Sequence, residues 1–348
     1  MSGRRLEFDG PAARFALHVG EAVLIADADD RRDLGLDHWV DGTLGLFRRK
    51  GRTTAVAPNG RALARHDVTE KGLLAGLVTP FERIESLPLD VEHASGGPVF
   101  HHEESDSTVL VYHGETFTDG DPEDYYSFLG LAASVGGGPF TDLGRIISSD
   151  IEDFDPSRPR QIEVGPGGFL VRDGWMLVYF IDRFRHGARQ RLGVAGARLS
   201  DVLDGVARGQ APAFRKWTGA GFDEPGVGGQ SIELLAGCRF PVMWFDVAAL
   251  ELVGQSLCVF STLVRTSAGR WGWNHAASVS SDGLLWSEPQ LLYAAPESDE
   301  MLYVTILSGQ EVSRSVGGDT FGVLRVRAAA GYRWDDAIIE RVPIRIEC

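Results

Sequence analysis

A histidine and a carboxylate stand two residues apart in VYHGE, as His113 and Glu115, and the chain then runs into the acidic loop TFTDGDPEDYY. Side chains two apart on a strand share a face, so this imidazole and carboxylate would point the same way and could hold a ligand together. Upstream lie two more acid–histidine neighbours, Asp37 with His38 and then Trp39, and Glu92 with His93. Further along come Glu163, Asp182 with Arg183, Glu224 with Gln230, and the aromatics Trp244 and Tyr303. Carboxylates accept hydroxyl hydrogen bonds, aromatic faces cover C–H patches, and crowded carboxylates drive one another's proton affinities apart. Such a set suits a ring-bearing polar molecule such as a sugar. Inverting sugar hydrolysis needs two of those acids at roughly 6.5 to 9.5 Å with a water between.

Other chemistries lack their motifs. No GxSxG elbow, GxxxxGKS loop or strand-borne GxGxxG is present, and GVGGQS has glycine but no lysine. Cys238, Cys258 and Cys348 are scattered with no CxxC, which implies neither a disulfide framework nor a thiolate zinc site. His101 and His102 have no third ligand at a recognisable spacing and read as structural, so no metal site is expected from them. The loop DGDPED from Asp119 reads as solvated; it could hold a structural calcium, though its spacing is not that of an EF-hand. No cofactor is required by any motif.

These residues must be positioned by strands. Short alternating or apolar runs are punctuated by Gly, Pro, Asp and Asn, glycine numbers 43 of 348 residues, and no long segment keeps a helical period with caps. GGPVF, STVLVYHGE, YYSFLGLAAS and FTDLGRIIS form a four-strand unit. VGPGGFLV, GWMLVYFIDR and RQRLGVAGA begin the next, whose last part is masked by an insertion from Asp201 to Trp217. PVMWFDV, QSLCVFSTLVR, WNHAASVSS and SEPQLLY make a third. Opening strands near Asp37, Gly96, Val164, Pro241 and Met301 predict an all-β fold, a five-bladed β-propeller with four-stranded antiparallel blades around a central channel. The blades fall at 37–91, 92–160, 161–235, 236–298 and 299–348 of a single domain. The N-terminal strand RFALHVGEAVLIAD closes the ring against the last blade, since an open ring would leave edges exposed. A pair of β-sandwiches is the other architecture these runs allow.

The net charge of −15, with lysine only at positions 50, 71 and 216, excludes the basic stripe that nucleic acid requires. Charges interrupt every early apolar run before it could form a signal-peptide core, and no stretch of about 20 apolar residues exists to cross a bilayer. The expectation is a cytoplasmic protein with a small-molecule substrate, no nucleic-acid partner and no membrane partner. Its oligomeric state is open.

The repeat GGPVF…VLVYHGE…YYSFLGLAAS, the unit GPGGFLV…WMLVYFIDR and SVSSDGLLWSEPQLL resemble the five-bladed propeller glycoside hydrolases, the group of arabinanases and β-xylosidases. The resemblance covers blade pattern from about Asp37 onward. It implies three acids at the inner-strand starts of the first three blades: a base, a tuning carboxylate and an acid. Asp37 matches the first and Glu92 the second, while Glu163 and Glu224 both suit the third. The Asp-Pro opening of those hydrolases is absent, so three functions follow. The first is carboxylate acid/base hydrolysis of a small glycoside. The others are a cofactor-independent cyclase, lyase or isomerase in specialised metabolism, and a non-catalytic sugar-binding propeller. His38, Trp39, His93, His113, Glu115, Asp182, Arg183, Gln230, Trp244 and Tyr303 would bind and orient the ligand.

Overall fold

Asp173 and Gly174 both take positive φ, 51° and 73°, and Arg172 pairs with Trp175 across them. A two-residue turn of that hand matches the twist of the flanking strands, which is why DG joins a tight hairpin here. Lys50-Gly51 and Asp119-Gly120 repeat the pattern between Arg49 and Arg52 and between Thr118 and Asp121.

The computed structural model describes residues 4–9, 14–33, 42–59, 62–68, 82–84, 91–151, 160–184, 189–235, 241–265, 269–293, 299–308, 315–329 and 336–348. Strands β1 (Arg4–Asp9), β2 (Arg14–Val19) and β3 (Val23–Ala26) lead into a short helix, α1 (Ala28–Asp33). β4 (Gly45–Arg49), β5 (Arg52–Asn59), β6 (Ala62–Val68) and β7 (Glu82–Ile84) form an antiparallel sheet. β8 (His93–Ser95) and β9 (Val99–His102) lie beside β10 (Ser107–Thr118), which pairs with β11 (Asp121–Val135), and β11 in turn with β12 (Thr141–Ile147). β13 (Gln161–Arg172), β14 (Trp175–Phe184), β15 (Arg189–Arg198), β16 (Arg215–Trp217) and β17 (Phe222–Pro225) follow in spatial order. A two-residue parallel pairing, Tyr125 with Gln161 and Tyr126 with Ile162, joins β11 to β13 and makes these ten strands one sheet.

β18 (Val242–Leu250), β19 (Gln255–Arg265), β20 (Trp271–Ser280) and β21 (Gln290–Tyr293) form the next sheet. β22 (Asp299–Ser308), β23 (Ser315–Val316), β24 (Thr320–Ala329) and β25 (Ile338–Glu347) complete the chain, with β23 added to the edge of β18. β2 pairs with β25, Ala16 opposite Glu347 through Val19 opposite Ile344, so the first and last strands share a sheet. The segment read as an insertion from Asp201 holds most of helix α2 (Leu199–Arg208), which buries Val202 and Val206 and ends at Gly209 in the left-handed region. Val202 and Val206, four apart, lie on its buried face, a helical spacing too brief to stand out among the strand runs around it. No helix among the described residues is long and apolar enough to cross a membrane.

Alternate residues of one strand serve two cores. In β10, Val109 and Val111 pack with Phe169 and Val178, whereas Leu110 and Tyr112 pack with Phe47 and Val56. In β13 Leu170 joins Tyr179, Phe245 and Phe260. Leu250 and Leu257 pack with Ile306 and Val323, and Leu302 and Leu324 pack with Leu44 and Ala55. The series of cores returns to the strands where it began. Both faces of these strands are buried, so their sequences run apolar without alternation.

The first strands of successive groups meet at a waist. Thr43 Oγ1 donates to Phe245 O at 3.1 Å, Leu44 N to Thr305 Oγ1 at 2.9 Å, and Ile306 N to the buried Asp246 carboxylate at 2.7 Å. A Cβ on Gly97 would lie 3.9 Å from both Thr43 O and Gly167 O. β13, β18 and β22 each carry a bulge near the start, at Gly165/Gly168, Met243/Asp246 and Met301/Val304. Bulges re-aim side chains, here just before the waist.

Candidate functional site

On β10 the His113 ring places Nδ1 3.8 Å from Glu115 Oε1. The ring rests against the bulge of β13, where a Cβ on Gly165 would be 2.7 Å from its Cδ2 and Nε2; only glycine permits that approach. Glu115 is the cross-strand partner of His93 and its carbonyl accepts from Glu92 N at 3.0 Å. The Glu92 carboxylate turns back to accept Phe117 N at 3.0 Å, next to the irregularity that opens the TFTDGD turn.

Glu163 sits opposite Arg183 in the β13–β14 pair. Arg183 Nε donates to Glu163 Oε2 at 2.5 Å, Nη2 bonds the same oxygen, and the Tyr125 hydroxyl donates to it at 3.3 Å. Burial, together with the charges of Glu163 and Glu115, raises Tyr125 well above the ordinary tyrosine range, so it keeps its proton and acts as a donor. For Arg183, burial pulls downward, but the Glu163 charge and its hydrogen bonds outweigh it and the guanidinium is held more firmly protonated. Glu92, His113 and Glu115 thus form one set and Tyr125, Glu163 and Arg183 another, set side by side by the His113 ring against Gly165 and by the Glu115 charge acting on Tyr125.

The aromatic residues stand at the same end. Gln190, the cross-strand partner of Arg183, donates to Val242 O at 2.9 Å and ties the start of β18 to the Arg183 set. Trp244 follows with φ of 42°, a conformation that is an outlier for so bulky a residue. Its ring centroid is 4.8 Å from that of Trp273 and 5.2 Å from that of Tyr303, spacings that suit aromatic packing. Glu300 Oε2 accepts Trp273 N at 2.7 Å.

Other expected residues are placed elsewhere. Asp182 is fully buried and accepts the Ser231 hydroxyl. Glu224 lies on β17, the far edge of the ten-stranded sheet, and accepts Gln230 N at 3.4 Å within its own turn; Gln230 is exposed. Four strand steps separate β17 from β13, about 19 Å along the sheet, so Glu224 and Glu163 are not brought together. The glycine turn that carries Glu224 is clamped by the buried Lys216, whose Nζ donates to Ser148 O at 2.6 Å and to Gly229 O. Asp37, His38 and Trp39 lie outside the described residues, as does Cys238.

Tyr125 and Trp273 are site residues that the sequence alone missed; across its own hairpin Tyr125 faces Phe117, and the Glu163 it binds lies on β13, reached only through the parallel contact of β11 with β13. Also missed was Arg325, which lies over the Tyr293 ring at 3.8 Å and binds Glu340 through Nε and Nη2 at 2.9 and 2.6 Å. Among the described residues no group of three His, Cys, Asp or Glu is arranged to hold a metal ion.

Solved structures align over nearly the whole chain. The catalytic domain of a GH62 α-L-arabinofuranosidase from Coprinopsis cinerea covers 94% of this chain and 96% of its own at a TM-score of 0.54 and 11% identity. An α-L-arabinanase from Penicillium chrysogenum, complexed with arabinobiose, covers 94% and 98% at 0.51 and 11%. In fold, the chain is similar to the β-propeller glycoside hydrolases. An α-L-arabinofuranosidase from Podospora anserina, complexed with cellotriose, aligns at 0.53 and 10% identity over 94% and 96%. No protein-family model and no curated protein sequence matches the chain.

Proposed function

We propose that the chain is a five-bladed propeller that acts on a small glycoside or sugar-like molecule at the end of the molecule where Glu92, Glu163 and Trp244 gather. The five cores linked in a closed series support five blades. The observation that carries the functional reading is the joining of the two adjacent sets of carboxylates, histidine and arginine to an aromatic wall, through Gln190 and Val242. Asp37 is the base in this reading, Glu92 the carboxylate that orients and tunes, and Glu163 the third acid. His113 and Glu115 bind sugar hydroxyls, the protonated Tyr125 holds Glu163 in place, and Trp244 with Tyr303 covers a C–H face.

A second reading has its own support. Glu163 Oε2 receives three donors, an arrangement suited to a fixed acceptor and unsuited to a group that must deliver a proton. A non-hydrolytic acid/base reaction, or binding alone, would leave Glu163 as the anchor of Arg183 and Tyr125.

Hydrolysis of aryl α-L-arabinofuranosides and β-xylosides separates the readings. Hydrolysis should proceed with the native chain and fall about 100-fold or more in Asp37→Asn and in Glu163→Gln, the usual span for an acid/base group. Full activity in both variants would overturn the assignment; sugar binding without turnover would move it to the second reading.

A further inference from the structure

Strand β20 carries Trp271, Trp273 and His275 at alternate positions, on one face of the strand. Exposure rises along that face from the buried His275, through the half-buried Trp273, to Trp271 at 52%. Among the described residues Trp271 is the one exposed tryptophan. A strand rises about 3.3 Å per residue, which sets Trp271 about 7 Å beyond Trp273. The Trp273 ring already touches Trp244, and Trp244 touches Tyr303. Four aromatic side chains thus run outward from the buried wall into water, in the order Tyr303, Trp244, Trp273, Trp271.

Polar groups edge the strip. Arg265 is the cross-strand partner of Trp271, is itself exposed, and donates through Nε to Gly269 O at 3.2 Å, while Glu300 lies at the Trp273 amide. An indole edged by such groups fits a sugar ring, whose C–H face stacks and whose hydroxyls take hydrogen bonds at the ring edge. A flat protein partner would need a broader apolar patch than one exposed indole.

We propose that Trp271 is an outer stacking platform for a second sugar ring, so that the ligand is an oligosaccharide of two or more units with its inner ring at the Trp244–Tyr303 wall. This rests on reading that wall as a saccharide site. Because Trp271 is exposed, its removal should leave the fold intact, and Trp271→Phe should preserve stacking.

Calorimetric titration with arabinose, arabinobiose and arabinotriose, and with glucose, cellobiose and cellotriose, tests it on the full chain. In the series that binds, Trp271→Ala should weaken the di- and trisaccharide about tenfold, the scale of one aromatic stacking contact, leave the monosaccharide unchanged, and be restored within about threefold by Trp271→Phe. Equal affinities in Trp271→Ala and the native chain at every length would overturn the platform and leave the inner site standing. Failure of the native chain to bind any of the six sugars would overturn the inner site, and the platform with it.

Discussion

Arg183 Nε and Glu163 Oε2 lie 2.5 Å apart across the β13–β14 pair, with Glu163 only 7% exposed. A buried carboxylate is tolerable because the guanidinium and the Tyr125 hydroxyl replace the water it lost. Removing the cation alone strands the charge. Arg183→Met should therefore destabilise the fold by about 3 kcal/mol, and the double variant with Glu163→Gln should recover much of that loss. Chemical denaturation of the native chain, both single variants and the double variant measures the coupling; additive losses would refute it.

A methyl group on Gly165 would overlap the His113 imidazole at 2.7 Å. Gly165→Ala should cost about 1 to 3 kcal/mol as an overpacking change and weaken sugar binding by displacing the ring. In a His113→Ala background the same substitution should cost much less. Thermal melts of the four proteins give the answer, and an undiminished cost in that background would locate the clash elsewhere.

Burial pushes His275 down to about 3, against a smaller upward pull from its bond to Leu302 O at 2.8 Å. The unfolded chain binds this proton near pH 6.5 and the folded chain only near pH 3, so acidification through that window favours unfolding. This residue alone should steepen the loss of stability by up to about 1.4 kcal/mol per pH unit. Denaturation at pH 7, 5.5 and 4.5 should show the gap between the native chain and His275→Gln narrowing as pH falls. A constant gap would mean that His275 titrates normally.

Lys216 holds the turn before Ser231 through the carbonyls of Ser148 and Gly229. Lys216→Met should leave both acceptors unsatisfied, cost about 1 to 3 kcal/mol, and open the turn near Val227, which is already 50% exposed. Limited proteolysis should cut the variant faster than the native chain between Pro225 and Ser231. Unchanged cleavage would show that the turn is held by other bonds.

Much of the strand pattern was legible in the chain. VLVYHGE, YYSFLGLAAS and WMLVYFID each form strands where their apolar runs fall, and DG turns join strands here because Asp-Gly is among the dipeptides that take two positive φ values at little strain. The shared face of His113 and Glu115 follows from strand period alone. Helix α2 was not legible, and neither was the position of Glu224. Its glycine-rich turn reads as an approach to the next strand, yet β16 and Lys216 fold it back onto the sheet edge.

Residue order determined an acidic all-β chain with repeating strand units and a pool of carboxylates, histidines and aromatics near the starts of those units. Which members of that pool meet was decided by pairing between strands distant in sequence. Tyr125 reaches Glu163 because β11 and β13 touch in parallel over two residues, and Trp244 reaches Tyr303 because bulges in β18 and β22 re-aim their side chains beside the waist. Local sequence sets which face a side chain takes on its own strand. Only the packing of one sheet against the next sets what that face meets.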